Sequence, residues 1–498
     1  MRDIRQLFVL EKTPEESLTS QIRSLLIDAI TGGRIPSEDP LPSTRELSRQ
    51  LGVSRNLVVK VYSDLADDGI LYSKPRSGYF VNASMAADTV SFDDRGAGGQ
   101  VPATGIDWKR RYVVDISTCR NIEKPDYWRD MAYPFIYGQV DFEHFPFTMW
   151  RDCSRLALSI QATERWGVDN VMRDDPDLVE QIRTRLLPRR GITAAPEEIL
   201  VTVGSQNALY ILAELFIDRT RTAGIEDPGY PDVRNLFMLR AGKLRYLPLD
   251  DLGLRPDRQF DACDVVYVTP SHQVPTGVTM PYERRKALLE RAAVNDTLVI
   301  EDDYDSEINF SARPNPALRS MDRSGNVIYV ASMSKTLAPG LRLGYMVAPE
   351  PVIKQARALR RLMLRYPALN NQRMLALFLA HGGYDMIANK LKSVYRERWS
   401  VLTEAVDRLL PSCKRMPASS GTAVWLRGPE GLDCYRLERR AAEAGIVVEP
   451  GAVFFGDDAE GRRYFRLGIS VISSEKIVPG ITALADLIEG GASAQAAE

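Results

Sequence analysis

Between residues 14 and 33, Leu18, Ile22, Leu25, Leu26, Ala29 and Ile30 recur three and four positions apart. That spacing predicts an amphipathic helix, begun by Pro14 and Glu15-Glu16 and ended by Gly32-Gly33. Ser43, with Glu46 three residues on, predicts a capped second helix over 44–51. After the Gly52 turn, Ser54 caps a third helix over 55–68, stopped by Gly69. The period then shortens. Residues 70–72 and 79–81 read as two short strands joined by Ser73-Lys74-Pro75-Arg76-Ser77-Gly78, a hairpin with a basic tip. Helix, glycine turn, capped helix and hairpin together predict a winged helix-turn-helix. From 82 to about 109 the pattern disappears into small, polar, glycine-rich residues, which predicts a flexible linker.

Farther on, strand and helix patterns alternate. Apolar runs at 199–203, 265–269, 297–301, 327–330 and 343–347 read as buried strands, with helices over 177–187, 207–217 and 281–293. Such alternation predicts a mostly parallel sheet flanked by helices. After Pro351 comes a long basic helical stretch, then a helix around 390–410. Strand patterns at 422–426 and 464–469 mark a small C-terminal α/β subdomain. The aromatics Tyr127, Trp128, Tyr133, Phe135 and Tyr137 are assigned to the core. The last ten residues, 489–498, read as a disordered tail.

Composition narrows the class. The chain has 498 residues, 26% charged and 44% hydrophobic, enough for two or more domains of a soluble protein. A net charge of −2 argues against a uniformly basic coat but allows a local basic face. Cys119, Cys153, Cys263, Cys413 and Cys434 are scattered, as are His144, His272 and His381, so no disulfide framework or metal site is expected. No apolar run reaches membrane-span length and no signal-peptide pattern opens the chain; the expected location is the cytoplasm.

The chemistry concentrates at Ser332-Met-Ser-Lys335-Thr-Leu-Ala-Pro-Gly-Leu-Arg342, a short loop between two core strands. A lysine held in such a crevice can form a Schiff base with an aldehyde cofactor. Ser332, Ser334 and the planar guanidinium of Arg342 suit its phosphate. Such a pocket needs a carboxylate to keep a pyridine nitrogen protonated. Asp302, in Asp302-Asp303-Tyr304, follows the strand pattern at 297–301 and supplies one. Upstream, the Gly204-Ser205-Gln206 turn opens a helix and offers backbone N–H groups to a phosphate.

Asp302, Tyr304, Lys335 and Arg342, with their local sequences, resemble those of the fold-type I aminotransferases. With Leu41-Pro-Ser-Thr-Arg45-Glu-Leu and Leu51-Gly-Val-Ser-Arg55-Asn56 ahead of them, they resemble the MocR subfamily of GntR-type regulators over roughly residues 14–488. The resemblance implies an α/β chain with four parts. These are a winged helix-turn-helix domain (1–81), a linker (82–112), a fold-type I aminotransferase-like domain (113–488) and the tail. It implies pyridoxal 5'-phosphate as cofactor, with Lys335 as its Schiff-base lysine. Ser205, Gln206, Tyr230, Asp302, Tyr304, Ser332 and Arg342 would bind it, Tyr230 by stacking on the ring. Arg466, in Phe-Arg-Leu-Gly, would bind an effector carboxylate or sulfonate. The family's Asn-Pro-Thr-Gly is here Val274-Pro275-Thr276-Gly277, so the usual asparagine contact is missing, with His272 or Gln273 near its place.

Arg55 stands at the start of the third helix, Lys74 and Arg76 lie on the wing, and the acids Asp64, Asp67 and Asp68 cluster at the helix end. A recognition helix presents its N-terminal side chains to bases. Arg55 and Asn56 are therefore assigned to bases or phosphates, and Arg45, Lys60, Lys74 and Arg76 mainly to phosphates. The expected protein is a transcriptional regulator that binds double-stranded promoter DNA and senses a small amino compound as an aldimine. Amino acids and GABA-like, taurine-like or ectoine-derived amines are open. The resemblance implies a head-to-tail homodimer. A catalytically active aminotransferase is the alternative.

Overall fold

The computed structural model describes residues 16–32, 34–35, 40–75, 77–82, 107–169, 173–305, 309–310, 315–333 and 335–495. Arg76, Ser334 and most of the expected linker therefore lie outside the described residues. The chain falls into two compact units, Met1–Asp115 and Ile116–Glu498.

In the first unit, α1 (Leu18–Thr31), α2 (Thr44–Leu51) and α3 (Arg55–Asp67) precede an antiparallel hairpin of β1 (Leu71–Lys74) and β2 (Gly78–Val81). Each helix starts on a serine whose hydroxyl accepts a backbone N–H: Ser17 from Ser20, Ser43 from Glu46, Ser54 from Leu57. Gly52 turns the chain between α2 and α3 at φ 63°, the left-handed region where a side chain would be strained. Ile22, Leu26, Leu47, Val58, Leu65 and Val81 are buried together. The 3.6-residue spacing read from the sequence is thus the inward face of a small three-helix core. Ser54→Ala should remove one cap and cost about 1 kcal/mol of the head's stability, measurable as a lowered first transition in thermal melting.

The second unit opens with a short strand β3 (Tyr133–Pro134) and is built on an eight-stranded sheet. Its strands are β4 (Ile199–Thr202), β5 (Thr222–Asp227), β6 (Lys243–Asp250), β7 (Gly253–Leu254), β8 (Val265–Val268), β9 (Leu298–Asp302), β10 (Val327–Ser332) and β11 (Gly344–Val347). They lie in the order β4-β11-β10-β9-β8-β5-β6-β7. Neighbours from β10 through β6 run parallel, and β11 is antiparallel to both β10 and β4. Every residue of β4, β8, β10 and β11 is buried, as expected for strands covered on both faces. The C-terminal ends of β4, β5, β8, β9 and β10 therefore share one edge, and β11 departs from it. A second sheet, β12-β13-β16-β15, is formed by β12 (Lys414–Arg415), β13 (Ala423–Arg427), β15 (Glu449–Pro450) and β16 (Tyr464–Gly468), while β14 (Ile446–Val447) pairs with β3.

Three segments differ from expectation. The helix after β4 begins at Gly204 rather than 207, so Ser205 and Gln206 occupy its first turn instead of a preceding loop. Gly204 reverses the chain at φ 69°, which removes the need for a separate turn. The predicted helix over 177–187 is α-helical only over Pro176–Gln181. It passes through one π turn to a 3₁₀ turn around Pro188, whose ring cannot continue an α-helix. The closing helix runs Ser474–Gln495, so the expected disordered tail is helical through 495. Among the described residues no helix is long and apolar enough to cross a membrane.

Candidate functional site

Register brings the sequence-predicted residues to one sheet edge. Asp302, the last residue of β9, lies opposite Val330 of β10. Ser332 at the end of β10 lies opposite Gly344, which in turn faces Thr202 at the end of β4. The Lys335 loop, the Asp302 carboxylate and the N-terminus of the Gly204–Phe216 helix therefore converge at one edge of the sheet, from β10, β9 and β4. This is where ligands bind in open α/β sheets.

Asp302 and Asp303 look equivalent in sequence, but the fold divides them. Asp303 is used internally: its Oδ2 accepts from Arg190 Nε at 2.6 Å and from the Tyr329 hydroxyl at 2.8 Å. Asp302 is equally buried, and both acids have an Oδ1 without a hydrogen-bond partner, but Asp302 Oδ2 accepts only from the Tyr267 hydroxyl, at 2.9 Å, where Asp303 is held by the Arg190 guanidinium. Burial, with Asp303 adjacent, lifts the Asp302 carboxyl to about 7. A buried carboxylate oxygen without a partner is costly, and a cationic ring nitrogen would satisfy it. Tyr267 went unrecognised in the sequence because a tyrosine in Val-Val-Tyr-Val reads simply as a β-former. Its place opposite Ile300 in the parallel pair is what lets its hydroxyl reach the end of β9.

Lys335 reaches back over the Tyr137 ring, its Nζ 4.5 Å from the ring centre. Burial pulls its ammonium below the usual lysine range. A Cβ on Gly138 would stand 2.7 Å from that Nζ and displace it, and the left-handed backbone at φ 70° itself favours glycine there. The 135–138 strap is fixed from the far side of the unit. Gly468 N–H donates to Phe135 O, and Ser470 Oγ accepts from Gly138 N–H while donating to Ile136 O. Tyr137, assigned from sequence to the core, is thus part of the site, because this long-range anchoring turns its ring onto Lys335.

At the helix N-terminus, Arg342 lies against Gly204, where a Cβ would stand 3.2 Å from its Nη2. Arg342 is exposed, takes a left-handed backbone at φ 52°, and donates to Val203 O at 3.2 Å. An arginine in this sparsely populated region beside a 13-residue helix's free N–H groups is a strained arrangement suited to an anion. Ser205 and Gln206 are half-buried there, Gln206 Oε1 without a partner, and Ser332 is buried at the adjacent strand end. Tyr230 precedes the helix Pro231–Arg240, its hydroxyl donating to Asp232 Oδ2 at 2.8 Å. Tyr304 is buried near Tyr137. These features fit pyridoxal phosphate: an acid with one unpartnered oxygen, an amine, and an anion cradle at one edge of the sheet.

His272 and Gln273 are both buried. Gln273 is spent on Glu226, Pro228 O and Thr276, while the His272 ring lies 6.1 Å from that of Tyr304. Burial, with Arg466 near, pulls His272 down to about 4, so it is neutral at neutral pH.

In the head, Arg45, Arg55, Asn56 and Lys60 are exposed. Residues 55, 56, 59, 60 and 63 form the outward face of α3, opposite the buried Val58, Val61, Tyr62 and Leu65. Lys74 is exposed on the wing, its Nζ 4.5 Å from the Phe80 ring centre. The predicted contact residues thus occupy one helix face and the hairpin, a surface suited to a DNA groove.

Comparison with known proteins agrees with both halves. Residues 18–81 match the family of bacterial regulatory proteins, gntR family, and residues 171–484 match aminotransferase class I and II. The HTH-type transcriptional regulator TauR of Rhodobacter capsulatus is 38% identical, covering 96% of this chain and 98% of its own. The probable rhizopine catabolism regulatory protein MocR of Rhizobium meliloti is 31% identical, covering 89% and 88%. Among solved structures, the α-aminoadipate aminotransferase LysN of Thermus thermophilus, complexed with N-(5'-phosphopyridoxyl)-L-leucine, superposes with a TM-score of 0.67. It is 25% identical and covers 77% of this chain and 99% of its own.

Proposed function

This chain belongs to the MocR branch of the GntR-type transcriptional regulators, a DNA-binding head joined to a pyridoxal phosphate-type aminotransferase fold, and from that premise we propose that it senses a small amino compound at Lys335. The observation that carries the reading is the unpartnered, buried Asp302 Oδ1 at the same sheet edge as the Lys335 loop. Pyridoxal phosphate, when bound, supplies an aldehyde that condenses with amines. Ser205, Gln206, Ser332 and Arg342 hold its phosphate, Tyr230 covers the ring, Tyr304 lines the pocket, and Asp302 keeps a proton on the ring nitrogen. Lys335 is the amine that an effector must replace, and Arg466 receives the effector's acid group. The effector is a short amine carrying a carboxylate or sulfonate.

In the head, Arg55 and Asn56 meet bases or phosphates and Arg45, Lys60 and Lys74 meet phosphates, with Arg76 assigned to the same wing. Two copies pair, presenting two heads to two half-sites. Exposed apolar side chains between 142 and 160, among them Phe142, Phe147, Leu158 and Ile160, offer a surface for such pairing. An effector changes DNA affinity only through its different affinity for two arrangements of the protein.

A spectral titration with candidate amines separates sensor from enzyme. A sensor gives a stable change in the cofactor's absorption that alters DNA affinity. An aminotransferase gives continuous, keto-acid-dependent conversion with no effect on DNA, and that result would replace this reading. The pH dependence is set by Asp302. Below about pH 7 it takes up a proton and loses the charge that holds the ring nitrogen. Asp302→Asn should weaken cofactor binding by about 10- to 100-fold above pH 7, and the gap from wild type should shrink as pH falls toward 5. Cofactor titrations of the apo-protein at several pH values measure this.

A further inference from the structure

Arg466 is already occupied. An arginine that receives a carboxylate ordinarily offers two parallel N–H donors. Here Nε donates to Glu449 Oε2 at 2.6 Å, and both side chains are almost wholly buried. The pairing is built into the fold, since Glu449 on β15 and Arg466 on β16 are register partners. It is also incomplete: Arg466 Nη2 and Glu449 Oε1 are buried without hydrogen-bond partners. The guanidinium is sandwiched between the Tyr137 and Phe454 rings, 4.2 and 4.8 Å from their centres.

A second amine shares the chamber. Lys124 donates to Tyr137 O, and its Nζ lies 3.5 Å from the point where a Cβ on Gly138 would stand, the same point that Lys335 Nζ approaches from 2.7 Å. Lys124 therefore stands close to Lys335 and within the field of Glu449 and Arg466.

An acid group arriving at Arg466 Nη2 would stand beside Glu449 Oε1, and two carboxylates at such a distance repel. Leaving either acid buried without a cation is costly. One of the two must move, and Lys124 is a cation that can take it. Building on the sensor reading above, we propose that Glu449 is an internal occupant of the effector's acid site. It holds Arg466 until an effector anion displaces it toward Lys124, which sets how strongly an acid-bearing amine must bind. Glu449 and Lys124 are then specificity-determining residues: they make the site respond to amino acids and aminosulfonates by exchange of one anion for another.

The test compares taurine and β-alanine, which carry an acid, with propylamine, which does not. Each is titrated into the cofactor-loaded full-length protein while its visible absorption is followed. Glu449→Gln removes the competing charge and should raise the affinity for taurine or β-alanine relative to propylamine by about 10-fold. Lys124→Met removes the place to which Glu449 moves and should lower the same ratio by a similar factor. Retained visible absorption in each variant shows that its pocket has folded. An unchanged or lowered ratio in Glu449→Gln would overturn the proposal, as would an unchanged ratio in Lys124→Met. If no amine alters the absorption of the wild type, the sensor reading itself falls and the proposal with it; a wild-type response with unaltered ratios defeats the proposal alone.

Discussion

Lys335→Ala is expected to abolish the visible absorption of covalently held cofactor while leaving affinity for promoter DNA within about two-fold of wild type. Lys335 follows closely on the end of β10, and its Nζ comes within 2.7 Å of the point where a Cβ on Gly138 would stand. Alanine opens space at a half-buried position and removes no core contact of the sheet, so the fold should persist. The head's core is formed by its own residues, from Ile22 to Val81, and does not depend on Lys335. Absorption spectra and DNA binding on the same preparation measure the two effects together. Covalent cofactor retained in the variant would mean that another amine, with Lys124 the nearest candidate, forms the bond.

Arg55→Ala should have the converse effect, weakening DNA binding by about tenfold or more and reducing the salt slope by about one if the guanidinium neutralises a phosphate. Arg55 is exposed at the first turn of α3, where its Nε lies 3.5 Å from Thr44 Oγ1. No carboxylate ion pair with it is present among the described residues, so its charge is available to a ligand. A base contact would show instead as relaxed sequence preference at one operator position, again with a large loss. Binding isotherms at several salt concentrations separate the two. Unchanged affinity and slope would remove Arg55 from the DNA surface.

What could be read in advance depended on how local the cause was. The helices of the head were legible because Ser43, Ser54 and Gly52 carry their boundary signals within a few residues. The buried runs 327–330 and 343–347 were legible because both faces of those strands are covered and the apolar run is continuous. Lys335 stood out for the same reason, as a charged residue between two such runs. Tyr137, Tyr267 and Glu449 did not. Each acquires its role from a partner distant in sequence: Ser470 and Gly468 for the Tyr137 strap, the end of β9 for Tyr267, and the β15–β16 register for Glu449. Lys124 was one lysine among many until Tyr137 and Gly138 placed Lys335 beside it. Pattern identified the residues that the chemistry requires, and tertiary pairing supplied those that tune them.

In a sensor, replacement of Lys335 by an effector amine changes DNA affinity, and binding linkage measures that coupling. Promoter DNA affinity is measured across a titration of amine, and amine affinity, from the cofactor's absorption, with and without saturating DNA. A sensor gives the same factor in both directions, because coupling between two sites is reciprocal, and the factor vanishes in Lys335→Ala. A factor of one in the wild type, with the amine demonstrably bound, would mean that the protein does not couple amine binding to DNA.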